Sequence, residues 1–549
     1  MVFAGILLLG IVVYPLIRIL LQSLTYDRQF SFRNYVEAVS DKDFLMSLQN
    51  SLFISFFSMV GAVISGSFFA WVVGRTDVPF KSFFRTALVL PFIIPPFVGA
   101  IAWMQLLGPV GYINAFYKNI TGSSTPLWNV YGPDGIILLL VIHLYPLVYI
   151  NMLGSLERMN PELEEAAQMS GSRIFSVMRR ITLPLMLPAM ASGAVLVFIM
   201  AIANFGIPAI LGFAENYYVL TTKIYEAITR SARPNSLSLA AAISIILAIV
   251  AAGGLLFQRF YIAKKEYAVL TGKSMQPNII QLGKHKYWIC AVCFLFVIIT
   301  SVAPLIAIIL TSMTRVYGLP PTLSNLTFQN YYDVFFLNLT VKRSIRNSLF
   351  LSFTAATVIS IFGSLIAYII VKTRVRGRYI IEIVSNVPYA LPGTVIALSM
   401  ILAWLKPLPI VGIRLYNTIW ILLIAYIAHY LAYGVRATSA SLSQIHESLE
   451  EAARISGAGR FRSFRDIIIP LILPGLFAGW FMVFIPTLRE LTISALLWST
   501  RNETIGVMVF NLLESGNTVA SAALAVLMIT VLVFANIITR KLTGGRTGY

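Results

Sequence analysis

The sequence predicts an all-α polytopic membrane protein, with about twelve transmembrane helices arranged in two parallel six-helix repeats. Three observations lead to this prediction. Hydrophobic residues make up 58% of the 549 residues and charged residues only 11%, a balance typical of chains that lie in lipid. Apolar runs of about 20 residues, the length that a helix needs to cross a bilayer, recur along the whole chain. Short stretches of sequence also recur at matching places in the two halves.

Each half of the chain contains six of these apolar runs. The spans predicted for the first half are 2–22, 50–73, 86–107, 135–154, 185–211 and 237–259. The spans predicted for the second half are 287–312, 347–371, 380–404, 417–436, 471–498 and 516–539. Because six spans return the chain to the side on which it started, both halves enter the membrane from the same side, as in a parallel repeat.

The predicted organisation has three parts. Residues 1–259 form the first repeat, residues 260–286 a polar linker and residues 287–549 the second repeat. The first span has the position of a signal peptide but lacks a basic start and an A-x-A-like cleavage site. Its sequence PLIRILLQSLT also matches PLIAIILTSMT deep inside the chain, so we interpret it as a retained helix.

The two repeats agree in individual residues as well as in span number. NSLFISF in the first repeat pairs with NSLFLSF in the second, and Pro91 and Pro95 pair with Pro388 and Pro392. Proline removes a backbone donor and clashes with the preceding helical turn. The paired prolines therefore predict a break or a kink in the third and ninth spans.

The distribution of charge predicts the orientation of the chain. With both termini in the cytoplasm, 25 Lys and Arg lie in cytoplasmic segments and 14 in outer ones, with Arg18 and Arg489 inside spans. Positive charge favours the cytoplasmic side of a membrane protein. The net charge of +19 does not predict nucleic-acid binding, because it is spread over short loops and forms no continuous stripe.

Two long charged loops carry the same sequence cassette. The first loop (155–184) contains EEAAQMSGSRIFSVMRRITLP and the second loop (437–470) contains EEAARISGAGRFRSFRDIIIP. Each is about 30 residues long, where helix connections normally have about 2 to 8. In the first loop, Asn160 is predicted to cap the start of a helix and Gly171 to end that helix. Leu183 and Pro184 are predicted to break a second short helix. Mixed charge between spans is often only a solvated surface, but the repetition favours a docking role.

The cassette resembles the signature loop of permease subunits of binding-protein-dependent ABC importers. The resemblance to these permeases covers nearly the whole chain. That signature is E-A-A, three residues, G, nine residues, I, one residue, then L-P. The matching residues are Glu165, Ala166, Ala167, Gly171, Ile181, Leu183 and Pro184 in the first loop, and Glu451, Ala452, Ala453, Gly457, Ile467 and Pro470 in the second, where Ile469 replaces the Leu. The resemblance implies the type I ABC importer permease fold, with two usually separate subunits fused in one chain.

The resemblance also implies the partners. In that family the loop is a coupling helix that sits in a groove of a cytosolic ATPase subunit, so two loops imply two ATPase subunits. An extracytoplasmic substrate-binding protein and the bilayer of a bacterial inner (plasma) membrane are the other implied partners. We predict no catalytic residues and no cofactor in this chain, because its sequence offers no catalytic triad, metal-ligand cluster or phosphate-binding loop. Its TGKS sequence has Tyr267 where such a loop needs Gly, so we expect the ATPase to be a separate subunit.

Polar residues inside spans are the candidates for the translocation path, because charge in a membrane is costly and is usually functional. The candidates are Asn204, Arg489, Glu490, His143 and His429, of which Asn204 aligns with Glu490 and His143 with His429. Arg489 could equally bond a neighbouring helix, and a lone histidine in a membrane more often does so than lines a path. Cys290, Cys293 and His285 lack the fourth ligand of a structural zinc site, so no metal site is predicted.

The substrate is the least specified part of the prediction. The fused arrangement and the sequence NFGIPAILG are similar to ferric-iron permeases, which makes ferric iron the leading substrate. Thiamine, phosphonates, polyamines and inorganic oxyanions are the alternatives within the same superfamily. A secondary transporter driven by an ion gradient is the alternative class, since such proteins also have parallel repeats and charged residues in the membrane.

Overall fold

The computed structural model describes residues 2–231, 235–258, 260, 279–407, 412, 414–446 and 464–542, and the single positions 448, 449, 452, 455, 457, 459 and 462. Eleven helices in this part of the chain are long and apolar enough to cross a membrane. The number is twelve if one pair of helices, which meet at an angle of 112°, is counted as a broken span. The prediction of an all-α protein with about twelve spans is confirmed.

The helices of the first repeat are α1 (Phe3–Ser23), α2 (Arg33–Ser40), α3 (Lys42–Arg75), α4 (Lys81–Ala87), α5 (Leu90–Ile93), α6 (Pro96–Leu107), α7 (Tyr112–Thr121), α8 (Pro133–Arg158), α9 (Glu162–Met169), α10 (Ile174–Val177), α11 (Leu183–Ile202), α12 (Gly206–Gly212), α13 (Leu220–Thr229) and α14 (Ser236–Phe257). Strands β1 (Thr25–Tyr26) and β2 (Gln29–Phe30) form a small antiparallel hairpin with Thr25 opposite Phe30.

The helices of the second repeat are α15 (His285–Ser312), α16 (Gln329–Tyr332), α17 (Leu339–Lys372), α18 (Arg378–Asn386), α19 (Gly393–Trp404), α20 (Ile419–Ser443), α21 (Ile469–Leu488), α22 (Thr492–Leu497), α23 (Ile505–Glu514) and α24 (Thr518–Leu542). Single 3₁₀ turns follow α12 at Phe213–Glu215 and α18 at Val387–Ala390.

The paired prolines break the third and ninth spans, as predicted. In the first repeat α5 ends at Ile93, and Ile94 and Pro95 are extended before α6 begins. In the second repeat Leu391 and Pro392 are extended between the 3₁₀ turn and α19. The missing proline donor and the extended preference of the residue before proline account for both breaks.

Four other prolines are accommodated by a local widening of the helix. A π-helical turn ends two residues before Pro15, Pro184, Pro304 and Pro470. A wider turn relieves the clash between the proline ring and the carbonyl group one turn earlier. The prediction that Pro184 breaks a helix is therefore wrong, because the helix runs on through the turn Met178–Thr182 into α11.

The predicted spans 185–211 and 471–498 each divide into two helices. Helix α11 ends at Ile202 and α12 begins at Gly206, while α21 ends at Leu488 and α22 begins at Thr492. Continuous apolar sequence concealed these breaks, since hydropathy reports burial in lipid and not helix continuity. The polar residues at each break are described with the site below.

The described residues fall into two compact units that do not follow the repeat boundary. One unit contains residues within 1–41, 224–248 and 327–548, and the other contains residues within 42–223 and 249–326. Accordingly, Arg18 Nε of α1 donates to the carbonyl oxygen of Leu402 in α19 at 3.4 Å. In the other unit, the Phe296 ring of α15 lies 4.3 Å from that of Phe69 in α3. The first helix of each repeat thus packs on helices of the other repeat.

Small residues allow close packing of the second and fourth spans in each repeat. A Cβ atom added to Gly66 of α3 would lie 2.8 Å from the carbonyl oxygen of Tyr145 in α8. At the matching Gly363 of α17, an added Cβ would lie 3.2 Å from the backbone of Gly434 in α20. The repeated glycine therefore fixes the same helix contact in both halves.

Candidate coupling and translocation sites

The first loop contains the short capped helix that its sequence predicts. The backbone N–H of Glu162 donates to Asn160 Oδ1 at 3.0 Å at the start of α9. At its end, Gly171 has φ of +84°. Its N–H donates to the carbonyl oxygen of Gln168 at 2.9 Å, and that of Ser172 to Ala167 at 3.0 Å. This pair of bonds is a Schellman motif, and the predicted cap at each end is confirmed.

The surface of α9 combines the predicted coupling residues with protruding apolar side chains. Glu165 and Ala166 are exposed and Ala167 is half-buried. Met169 is 90% exposed and Leu163 is also exposed. Leu163 and Met169 thus add exposed apolar surface to the helix beside Glu165 and Ala166.

The second loop repeats this surface at the positions that the structure describes. Ile455, which aligns with Met169, is 88% exposed, and Leu449, which aligns with Leu163, is exposed as well. Ala452 is exposed, and Gly457 has φ of +81°, close to the value at Gly171. The predicted coupling residues Glu451 and Ala453 lie outside the described residues.

A buried carboxylate attaches α9 to the neighbouring helices. Glu164 Oε1 accepts a hydrogen bond from Thr182 Oγ1 at 2.6 Å, and Glu164 Oε2 lies 3.6 Å from Arg75 Nη1. The Arg75 side chain is 1% exposed and that of Glu164 8%. The sequence analysis missed this contact, because Glu164 and Glu165 are adjacent and of the same type, and nothing in the sequence tells which one faces inward.

Glu490 caps the short helix that follows the break in the eleventh span. Its Oε1 accepts from the N–H of Ile493 at 2.7 Å, and its Oε2 accepts from the N–H and the hydroxyl of Ser494 at 2.9 and 2.8 Å. Glu490 is buried, and Arg489 beside it is half-buried. The carboxylate satisfies donors that an apolar helix start would leave without partners.

Asn204 has the same role at the matching break in the first repeat. Its Oδ1 accepts from the N–H of Ile207 at 3.0 Å at the start of α12, and its carbonyl oxygen accepts from Thr221 Oγ1 at 2.9 Å. The two aligned residues are therefore both helix caps. A polar residue two or three positions before an apolar helix start was the available sequence signal.

The two histidines both lie against the proline breaks. His143 Nδ1 is 3.1 Å from the carbonyl oxygen of Pro91, and its ring stacks on Phe92. His429 lies near the backbone of Pro388, which aligns with Pro91, but its Nδ1 has no hydrogen-bond partner within the described residues. An open proline break leaves a carbonyl group without its helical donor, and in each repeat a histidine lies where it can interact with that break.

Metal ligands are not clustered in the described residues. No group of three or more His, Cys, Asp or Glu side chains in that part of the chain could hold a metal ion. Cys290 and Cys293 are free thiols and are buried.

Comparison with known families decides the class of the chain. Residues 61–267 and 359–545 match the family described as binding-protein-dependent transport system inner membrane component. The chain belongs to this family. The two matched segments correspond to the two repeats, and members of the family are multi-pass permeases of the inner membrane, not enzymes.

Several curated proteins are similar to this permease over most of its length. The putative ferric transport system permease protein FbpB 1 of Haemophilus influenzae is 28% identical over 498 residues, which cover 90% of this chain and 76% of that protein. The ferric transport system permease protein FbpB of Actinobacillus pleuropneumoniae is 27% identical and covers 95% of this chain and 74% of its own. The spermidine/putrescine permease protein PotC of H. influenzae is 30% identical over 39% of this chain and 82% of its own.

Among solved structures, a bacterial alginate ABC transporter in complex with an alginate-bound periplasmic protein matches with a TM-score of 0.38 and 18% identity. The match covers 47% of this chain and 94% of that one.

Proposed function

We propose that this chain is the permease of an ATP-driven importer of ferric iron, which forms the translocation path and couples to two cytosolic ATPase subunits. The observation that carries the proposal is the pair of aligned loops, each with a positive-φ glycine and an exposed apolar residue two positions before it. A separate motor can move membrane helices only if it holds a stiff part of them. Because this chain has two such loops, we expect one ATPase subunit to bind at each loop.

The coupling residues in this proposal are those named from the sequence. Glu165, Ala166, Ala167 and Gly171 act in the first loop, and Glu451, Ala452, Ala453 and Gly457 in the second. The exposed face of α9 and its caps support the first set. The exposure of Ala452 and the backbone conformation of Gly457 support the second.

The orientation in the proposal places both loops and both chain ends in the cytoplasm. The excess of Lys and Arg on that side supports it. An extracytoplasmic substrate-binding protein then delivers its load to the opposite side. The separate ATPase subunits supply hydrolysis.

Ferric iron is the proposed substrate because similar proteins named for ferric transport extend over at least 90% of this chain in two species. A polyamine is the second candidate, favoured by the similarity to PotC, which covers only 39% of the chain. Asn204, Arg489, Glu490, His143 and His429 remain the proposed residues of the path. Their contacts support a role in shaping the helix breaks that border it.

The proposal is tested by transport in proteoliposomes. Uptake of ferric iron, presented on its binding protein, is expected only when the ATPase subunits and ATP are present. Glu165→Lys together with Glu451→Lys should abolish uptake and the co-purification of the ATPase. Uptake that persists without the ATPase and follows an ion gradient would favour a secondary transporter, and uptake of spermidine in place of iron would favour the polyamine reading.

A further inference from the structure

The helix α9 of the first loop rests on one buried side chain, Glu164. One of its carboxylate oxygens accepts from Thr182 at the start of the fifth span, and the other faces Arg75 at the end of α3. Three separate elements thus meet at a single carboxylate. Any displacement of α9 that carries Glu164 away breaks both contacts together.

Arg75 depends on this carboxylate to an unusual degree. Its side chain is 1% exposed, and none of its three guanidinium nitrogens has a hydrogen-bond partner within the described residues. A buried cation is costly unless an opposite charge accompanies it. Glu164 therefore compensates Arg75, and this charge requirement favours one position of α9.

The end of the linker between the repeats is fastened to the same place. We call residues 279–286 the linker strap. The N–H of Ile280 donates to the carbonyl oxygen of Arg75 at 2.8 Å, and the N–H of Asp77 donates to that of Ile280 at 3.2 Å. Asp77 Oδ1 accepts from the N–H of Leu282 at 2.8 Å, and Asp77 Oδ2 lies 3.6 Å from Lys286 Nζ.

Two residues of this anchor, Thr182 and Asp77, have no equivalent in the second repeat. Ile468 stands where Thr182 stands and cannot donate a hydrogen bond, and Arg374 stands where Asp77 stands and cannot accept one. Lys372, which aligns with Arg75, donates to the carbonyl oxygen of Ile445 at 2.9 Å. Ile468 lies in an apolar cluster with Ala367, Leu442, Ile445 and Ile472. Glu450, which aligns with Glu164, lies outside the described residues.

We propose that the linker strap, Arg75 and Glu164 form an anchor that positions the first loop, so that the linker takes part in coupling at that loop. This inference rests on the proposed function, because it assigns positioning residues to the loop that an ATPase subunit would hold. The anchor transmits motion of α9 to the second and fifth spans through the two contacts of Glu164. Without it, α9 moves without carrying the spans with it.

A nitroxide label measures the position of each loop directly. The label is attached at Met169→Cys, with Ile455→Cys as the matched site in the second loop, and Cys290 and Cys293 replaced by Ala. Arg75→Ala and Asp77→Ala should increase the mobility of the label at position 169 and leave position 455 unchanged. Lys372→Ala should leave position 169 unchanged. No change at 169 with either variant, or an equal change at both sites, would overturn the proposal.

A charge exchange separates positioning from a general loss of folding. Arg75→Glu should mobilise the label, and Arg75→Glu with Glu164→Arg should restore its immobility, because the opposite charges again face each other. Failure of the exchange to restore it, in protein that elutes as a single species, contradicts the anchor. If Arg75→Ala prevents folding, Asp77→Asn is the milder substitution, because it weakens the contact with Lys286 and leaves Arg75 in place. The mobility of the label at position 169 is then compared with that at position 455 in this variant.

The transport complex distinguishes this inference from the proposed function. In proteoliposomes with the ATPase, Arg75→Ala should raise the ATP hydrolysed per iron imported by about threefold or more, while the ATPase still co-purifies. An unchanged ratio would refute the anchor and leave the proposed function standing. An ATPase that fails to bind the unmodified chain would refute the proposed function, and the label mobilities would still decide the anchor.

Discussion

Two adjacent glutamates in the first loop, Glu164 and Glu165, have opposite surroundings. Glu164 is buried between Thr182 and Arg75, whereas Glu165 is exposed. Helix geometry requires neighbours to point about 100° apart, so one faces the membrane helices and the other faces away. The same residue type is thus buried in a polar contact at one position and exposed for the proposed docking at the next.

This difference predicts opposite phenotypes for the two alanine variants. Glu164→Ala should lower the free energy of unfolding by about 3 kcal/mol, since it leaves a buried cation without its partner. Glu165→Ala should change it by less than about 0.5 kcal/mol, as expected for a surface substitution. Unfolding in detergent measures the first effect, and pull-down of the ATPase subunit measures docking. Equal stability of the two variants would contradict the burial of Glu164.

Glu490 offers a second prediction for a single residue. Glu490→Ala should destabilise the protein by about 2 kcal/mol, because two backbone donors and a hydroxyl lose their acceptor in a buried setting. Glu490→Gln should lose less, since its amide oxygen can still accept. Thermal unfolding in detergent ranks the variants. If alanine and glutamine had the same effect on stability while abolishing transport, Glu490 would act through its charge on the path and not as a cap.

Element-scale features divide into those that sequence could predict and those that it could not. Span number, the caps at Asn160 and Gly171, and the proline breaks followed from residue types whose backbone preferences are strong. The continuation of the helix through Pro184 did not follow, because a π-helical turn depends on packing around it. The breaks at Asn204 and Glu490 were not predicted, because the residues on both sides are apolar and have the composition of one continuous span. The sequence also did not predict which face of α9 is buried. In a helix of only eight residues, the spacing of apolar residues identifies the buried face only when the element packed against it is known.

Helix packing gives a prediction at this scale. Gly66→Ala should weaken the contact between α3 and α8 by about 1–3 kcal/mol, because its new Cβ would meet the backbone of Tyr145 at 2.8 Å, where nothing can yield. Gly99→Ala in α6 is the matched control, since an added Cβ there meets nothing within 4 Å. Unfolding in detergent compares them. A Gly66→Ala protein as stable as Gly99→Ala would contradict the close approach.

At the scale of the whole molecule, each repeat's first helix packs on the other repeat. Arg18 bonds to α19 and Phe296 packs on Phe69, so each compact unit contains helices of both repeats. The linker strap and α3 therefore lie in the same unit, the one with residues within 42–223 and 249–326. This arrangement explains how the linker strap can reach α3 of the first repeat.

Orientation is tested on the whole chain. Met169→Cys should react with a membrane-impermeant maleimide only after the cytoplasmic side is opened, because Lys and Arg are in excess over all the segments that the proposed orientation places on that side. Ser124→Cys, exposed in the segment between α7 and α8, should react in intact cells. Both variants carry alanine at Cys290 and Cys293. The reverse pattern of labelling would show that the termini lie outside.

The central claim is that two separate motor subunits hold this chain, one at each loop. Photo-cross-linking from Met169→Cys and Ile455→Cys, each carrying a benzophenone label, tests it in the purified complex. Each single variant should join one ATPase subunit to the chain, and the double variant should join two. Cross-links from neither position, or from only one of them in an active complex, would contradict the account.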